Sequence, residues 1–224
     1  MGNPVEATRR LNGTLPARRF LPMPAPEDRA VAPDVALERL LAGNRRFVEG
    51  RGRAFTGFRP DLAGGQRPFA VVVGCSDSRV PAEIVFDVGL GDLFVVRVAG
   101  NIVAPSQVGS VEFAVSQFDT RLVVVLGHTL CGAVTATLEA LAGREADSHN
   151  LASITDRIAP HIRDVAAAEQ DQGRRLLAAV TANARASVSH LTHGSSILEE
   201  AALAGRVRIV GAIYAVETGK VTLL

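Results

Sequence analysis

The chain has 224 residues, with 47% hydrophobic residues, 21% charged residues and a formal net charge of +1. This length suffices for one large buried core or two small ones, and the composition is that of a globular protein. The balanced charge gives no general attraction to nucleic acid or to an anionic membrane surface, so we expect neither as a partner.

The chain contains two cysteines, Cys75 and Cys131. The pair Arg9-Arg10 near the start has no apolar run behind it, so we expect no secretory signal. No apolar stretch approaches the roughly 20 residues that a membrane-spanning helix needs. We therefore expect a cytoplasmic, reducing location, where two cysteines more often serve a metal or a reaction than a disulfide.

The first part of the chain divides into an arm, a helix and a connector. Residues 1–30 carry five prolines and no periodicity, so we expect an extended or disordered N-terminal arm. Apolar residues then recur at helical spacing as far as Phe47, with Pro33-Asp34 as a start signal and Gly50 as a stop. Residues 51–68 are predicted to be a connector. We assign residues 31–224 to a single domain that begins with this helical arm.

Apolar runs rich in valine predict the central sheet. Unbroken runs bounded by Gly, Pro or Asp are typical of parallel strands that are covered on both faces. Segments with helical spacing separate the runs, which predicts right-handed crossovers and an α/β fold. The predicted strands are Phe69–Val73, Leu93–Val98, Leu122–Leu126 and Val207–Ile213, with an extra C-terminal strand in a hairpin over Tyr214–Leu224. The predicted helices are Pro81–Phe86, Val108–Phe118, Ala133–Leu141, Ala-rich helices through Ala186 and one around Ile197–Ala204.

Two short segments carry reactive side chains, and each directly follows a predicted strand. They read Gly-Cys-Ser-Asp-Ser-Arg over residues 74–79 and Gly-His-Thr-Leu-Cys-Gly over residues 127–132. Ligands bind at the carboxyl ends of strands in open α/β sheets, so Cys75, His128 and Cys131 are expected at one edge. Two thiolates and an imidazole suit Zn²⁺, and the fourth position goes either to Asp77 or to water.

Asp77 and Arg79 are spaced to form a bidentate ion pair across a turn. Held in this way, the carboxylate stays ionised and accepts a proton from zinc-bound water. If Arg79 released it, Asp77 would move onto the zinc and close the site. A zinc-stabilised regulatory module with a permanently closed site is therefore an alternative, although such a site has no need of Arg79.

The two segments together resemble the metal signature of β-class carbonic anhydrases, Cys-x-Asp-x-Arg with His-x-x-Cys. The similarity extends to residues 92–101 and 109–114, and it covers the chain from about Val35 to its end. The resemblance implies that Cys75, His128 and Cys131 bind one zinc ion per subunit and that Asp77 and Arg79 form the catalytic dyad. The implied reaction is the reversible hydration of carbon dioxide to bicarbonate through a zinc-bound hydroxide.

The resemblance also implies a homo-oligomer, either a dimer or a dimer of dimers, with the active-site cleft at the subunit interface. Four residues match positions of the family's substrate pocket: Gln66, Phe94, Phe113 and Gly132. Gln66 resembles a glutamine that donates to the bound substrate, and Phe94 an apolar wall residue. Phe113 stands where plant-type members have Tyr, which makes that contact purely apolar.

An open site is expected near neutral pH. Members with an inhibitory bicarbonate pocket have Trp at the position of Val72, so this pocket is incomplete here even though Arg97 is present. Arg97, at the end of its strand, is otherwise expected to form a structural ion pair. Within the same fold, hydrolysis of carbon disulfide or carbonyl sulfide is an alternative, because attack on another small linear electrophile requires the same chemistry.

Overall fold

The computed structural model describes residues 30–52, 60–144 and 148–224. The predicted N-terminal arm, apart from its last residue, and part of the connector lie outside these ranges. The helices are α1 (Pro33–Val48), α2 (Ala82–Val85), α3 (Pro105–Phe118), α4 (Gly132–Leu141), α5 (His149–Ala168), α6 (Gln172–His193) and α7 (Ser196–Leu203). The strands are β1 (Ala70–Gly74), β2 (Leu93–Arg97), β3 (Leu122–His128), β4 (Arg208–Tyr214) and β5 (Val221–Leu223). None of the helices in these ranges is both long enough and apolar enough to cross a membrane.

The five strands form one sheet in the order β2-β1-β3-β4-β5. The first four strands are parallel, and β5 pairs antiparallel with β4 as the predicted C-terminal hairpin. The predicted α/β fold with a mainly parallel sheet is confirmed. The predicted strand bounds differ from the observed ones by one or two residues.

The valine runs form central strands because both of their faces are buried. Side chains alternate along a strand, so Val71 and Val73 enter one core cluster while Val72 enters the other. The first cluster contains residues of α5 and α6, and the second contains residues of α1 and α2. All residues of β1 and β3 are buried, as expected for the middle of a parallel sheet.

The register of the sheet brings the carboxyl ends of three strands together. Gly74 at the end of β1 pairs with Arg97 on one side and with Leu126 on the other. Strand β3 continues two residues further, to His128, and α4 begins at Gly132. The two reactive segments therefore lie next to each other at one edge of the sheet.

Candidate metal centre

Cys75, His128 and Cys131 form a buried cluster at this edge. Their candidate ligand atoms all lie within 4.8 Å of one another. Each residue is at least nine-tenths buried. Both cysteines are free thiols. The structure thus brings together the three predicted ligands, which come from two separate strand ends.

The imidazole of His128 has one nitrogen satisfied and the other unpartnered. Nδ1 lies 2.8 Å from the backbone oxygen of Thr129, and because a carbonyl oxygen only accepts, Nδ1 carries the proton. Nε2 is buried and makes no hydrogen bond within the described residues. A buried polar atom normally has a partner, and metal-bound histidines normally donate their other N–H to an oxygen. The orphaned Nε2 beside two sulfur atoms therefore fits a metal ligand.

The two sulfur atoms shift each other's pKa in opposite directions. The adjacent Cys131 thiol lowers the pKa of Cys75, although burial opposes this shift. The same contact with Cys75, together with burial, raises the pKa of Cys131. Two thiolates at this separation need a cation between them, which a divalent metal supplies.

Asp77 and Arg79 form the bidentate pair at the rim of the cluster. Oδ1 of Asp77 accepts from Nε of Arg79 at 3.0 Å and from its backbone N–H at 2.9 Å, while Oδ2 accepts from Nη2 at 2.7 Å. These hydrogen bonds hold the pKa of Asp77 well below its usual range. Oδ2 lies 3.9 Å from Nε2 of His128, so the carboxylate faces the cluster while Arg79 holds it. Nη2 also donates to the backbone oxygen of Leu130 at 3.1 Å, which joins the two segments.

Arg97 makes contacts that differ from the expected ion pair. Its Nε donates to the backbone oxygen of Cys75 at 2.9 Å, and its Nη2 donates to that of Asp77 at 2.6 Å. The guanidinium thus braces the turn that carries the first ligand. Val72, at the position that suggested an incomplete bicarbonate pocket, is fully buried in the core.

Thr129 ties the histidine loop to the C-terminal hairpin, a contact that the sequence did not reveal. Its Oγ1 donates to Oε2 of Glu217 at 2.6 Å and accepts from the backbone N–H of Val216 at 2.9 Å. Because the backbone oxygen of Thr129 accepts from His128, this anchoring fixes the orientation of the imidazole.

A short helical turn at Ala99–Asn101, also missed from the sequence, lies against the cluster. The backbone N–H of Gly100 donates to Sγ of Cys75 at 3.3 Å. Gly100 has φ of 69°, and a Cβ added there would lie 2.7 Å from Cδ1 of Ile158 and 3.1 Å from Cβ of Ala133. Only glycine combines this backbone conformation with this close packing.

Replacing Gly100 with alanine is expected to destabilise the protein. The new Cβ adds left-handed backbone strain and overpacking against Ile158, which together cost about 2–4 kcal/mol. Gly109 is the matched control, since it lies inside α3 with open space around it, and Gly109→Ala is expected to be neutral or stabilising. Urea unfolding of the metal-free variants measures both effects. Equal free energies of unfolding for the two variants would contradict this account.

Of the four predicted substrate residues, only Gly132 lies next to the cluster. Gly132 begins α4 directly after Cys131, with open space beside it. Gln66 is exposed ahead of β1, at the opposite end of that strand from the cluster. Phe94 lies on β2 three residues before Arg97, about 10 Å along the strand. Its ring packs at 6.3 Å from that of Phe113, which is 44% exposed. Within one chain, Gln66, Phe94 and Phe113 therefore do not reach the cluster.

Comparisons with known proteins agree with the fold. The carbonic anhydrase family model matches residues 70–221. Carbonic anhydrase 2 of Mycobacterium tuberculosis is 39% identical over 194 residues, which cover 85% of this chain and 92% of that protein. A carbonic anhydrase of Mycolicibacterium smegmatis is 40% identical over 197 residues, which cover 85% and 93%. A solved structure of a Coccomyxa β-carbonic anhydrase has a TM-score of 0.66 and 27% identity, and the match covers 84% of this chain and 86% of that one. The chain therefore belongs to the β-carbonic anhydrases, a family of lyases.

Proposed function

We propose that the chain binds one zinc ion through Cys75, His128 and Cys131 and catalyses the reversible hydration of carbon dioxide to bicarbonate and a proton. The observation that carries this proposal is the orphaned, buried Nε2 of His128 beside two cysteine sulfurs in a member of this family. The donor set matches the preference of zinc for thiolate and imidazole ligands. When bound, zinc supplies the Lewis acidity that makes water a nucleophile near neutral pH.

In this proposal Asp77 orients the reacting water. Its lowered pKa keeps the carboxylate ionised at neutral pH, so Oδ2 accepts a hydrogen bond and does not retain the proton. Arg79 occupies both oxygens and keeps the carboxylate away from the metal position. This arrangement supports an open site and disfavours the regulatory module, in which Asp77 would be a permanent ligand.

The remaining substrate contacts are proposed to come from a second copy of the chain. Gln66, Phe94 and Phe113 lie away from the cluster of their own chain, and Phe113 presents part of its ring to the surface. A homo-oligomer with the cleft at its interface, a dimer or a dimer of dimers, would let these residues line the partner's site. We also propose that residues 31–224 form one domain, which the single sheet with a core cluster on each face supports. The free thiols are consistent with the proposed cytoplasmic location.

A stopped-flow assay with a pH indicator tests the activity. The protein is expected to hydrate carbon dioxide, to lose the activity after treatment with a strong chelator, and to regain it with added zinc. Metal analysis should find one zinc per chain. Full activity in the metal-free protein would overturn the proposal. Hydrolysis of carbon disulfide or carbonyl sulfide without hydration of carbon dioxide would replace the substrate.

A further inference from the structure

Two buried side chains of α6 hold the turn that contacts the Cys75 sulfur. Nδ2 of Asn183 donates to the backbone oxygen of Gly100 at 2.8 Å, and Oγ of Ser187 donates to that of Asn101 at 3.1 Å. The two residues are four apart, so they lie one above the other on the same face of the helix. Both are at least nine-tenths buried.

The turn needs such support because of its backbone conformation. Gly100 and Asn101 have φ of 69° and 45° in succession, and the backbone N–H of Asn101 is bonded to the oxygen of Val98 at 2.9 Å. Gly100 is the residue in the turn with the widest choice of conformations, since it lacks a Cβ. Asn183 holds the carbonyl of Gly100 on one side, while the N–H of Gly100 donates to Sγ of Cys75 on the other.

The N–H to sulfur contact bears on metal binding. A hydrogen bond to a ligand sulfur orients it and withdraws electron density from it, and loss of such supporting contacts typically weakens metal binding by about 10–100-fold. The N–H and the carbonyl of Gly100 belong to consecutive peptide units. Asn183 therefore acts by fixing the position of Gly100 and does not polarise the N–H directly.

We propose that Asn183 is a positioning residue of the metal centre, which holds Gly100 so that its N–H meets the Cys75 sulfur and thereby sets the donor strength of that ligand. The inference rests on the proposed binding of zinc. Ser187 holds the carbonyl of the following residue, Asn101, whose N–H donates to the backbone oxygen of Val98.

The pair Asn183→Ala and Ser187→Ala separates positioning from general support. Each variant removes one buried side-chain hydrogen bond to the same turn. Both side chains also line one surface cavity of about 380 Å³, so water can enter at either position. We expect similar decreases in the unfolding temperature of the two metal-free proteins.

The metal-bound proteins are expected to differ. Replacing zinc by cobalt(II) gives a sulfur-to-cobalt charge-transfer absorption that reports the donor strength of the thiolates. Asn183→Ala should shift this absorption and raise the zinc dissociation constant about 10–100-fold in chelator competition. Ser187→Ala should leave the absorption unchanged and the dissociation constant within about threefold of the parent value.

Equal effects of the two variants on the absorption and on zinc affinity, or no effect of Asn183→Ala, would overturn the inference. If Asn183→Ala does not fold, Asn183→Ser keeps a small polar group too short to reach Gly100, and it should show the same shift. A cobalt absorption and a zinc affinity equal to those of the parent in Asn183→Ser would also overturn the inference. If the parent protein binds metal and hydrates carbon dioxide in these cases, only this inference fails. If the parent protein binds neither zinc nor cobalt, the proposed function itself fails.

Discussion

Cys75→Ser is expected to abolish carbon dioxide hydration and to remove zinc from the purified protein. The change deletes one of three proposed ligands, at a cost of roughly 3–5 kcal/mol of zinc-binding free energy, or about three orders of magnitude in affinity. Zinc bound only to the folded state stabilises it, so the variant should also unfold at lower temperature than the zinc-loaded parent.

Zinc content, thermal unfolding and stopped-flow hydration check this result together. Ser78→Ala is the matched control, since Ser78 is exposed on the same turn, and it should keep both zinc and activity. After chelation of the parent, the unfolding temperatures of parent and Cys75→Ser should approach each other. A Cys75→Ser protein that retains one zinc and normal turnover would contradict the assignment of Cys75.

Asp77→Asn and Arg79→Ala are each expected to lower kcat/KM by about 10²–10⁴-fold while leaving zinc bound. The two residues act as one unit, because Arg79 bonds both oxygens of Asp77 and so keeps the carboxylate facing the cluster without occupying the metal position. The double variant should therefore be little worse than either single variant. Stability should change little, since the pair lies at the rim and exposed ion pairs contribute little to folding.

A double-mutant cycle on kcat/KM, with zinc analysis of each variant, measures this coupling. The chain offers a second bidentate pair with the same spacing, Asp119 and Arg121, at the surface. Arg121→Ala should leave the rate unchanged, which separates the role of Arg79 from the loss of any surface arginine. Losses that add across the cycle would show that Asp77 and Arg79 act independently.

The sequence predicted the elements whose signal is local. Valine runs mark β1 and β3 because a strand buried on both faces needs apolar side chains at every position. Cys75 directly follows β1 and His128 ends β3, so both lie at the same edge of the sheet. Neither the prediction of the strands nor the placement of the two residues at this edge required knowledge of the strand order.

The supports of the site could not be predicted in this way. Asn183 contacts Gly100 from a helix far along the chain, and an asparagine in an Ala-rich helix has no pattern that marks it as buried. Arg97 ends a strand, where an ion pair is the common outcome, and only the fold places two backbone oxygens within its reach. For the turn at residues 99–101, the glycine within Ala-Gly-Asn was the one available signal in the sequence. Such a glycine often marks a backbone conformation that other residues avoid.

The division of the proposed ligands between the ends of β1 and β3 has a consequence for how the protein would acquire zinc. His128 and Cys131 lie three residues apart at the end of β3, so a chain can present them together before its strands have paired. Cys75 joins them only after β1 has inserted between β2 and β3, and parallel pairing across such distant segments is a slow step of folding. A chain that has not completed its sheet offers the ion only two donors. Tight binding of the proposed zinc ion would thus report that β1 and β3 have paired, and a misfolded copy would hold the ion weakly.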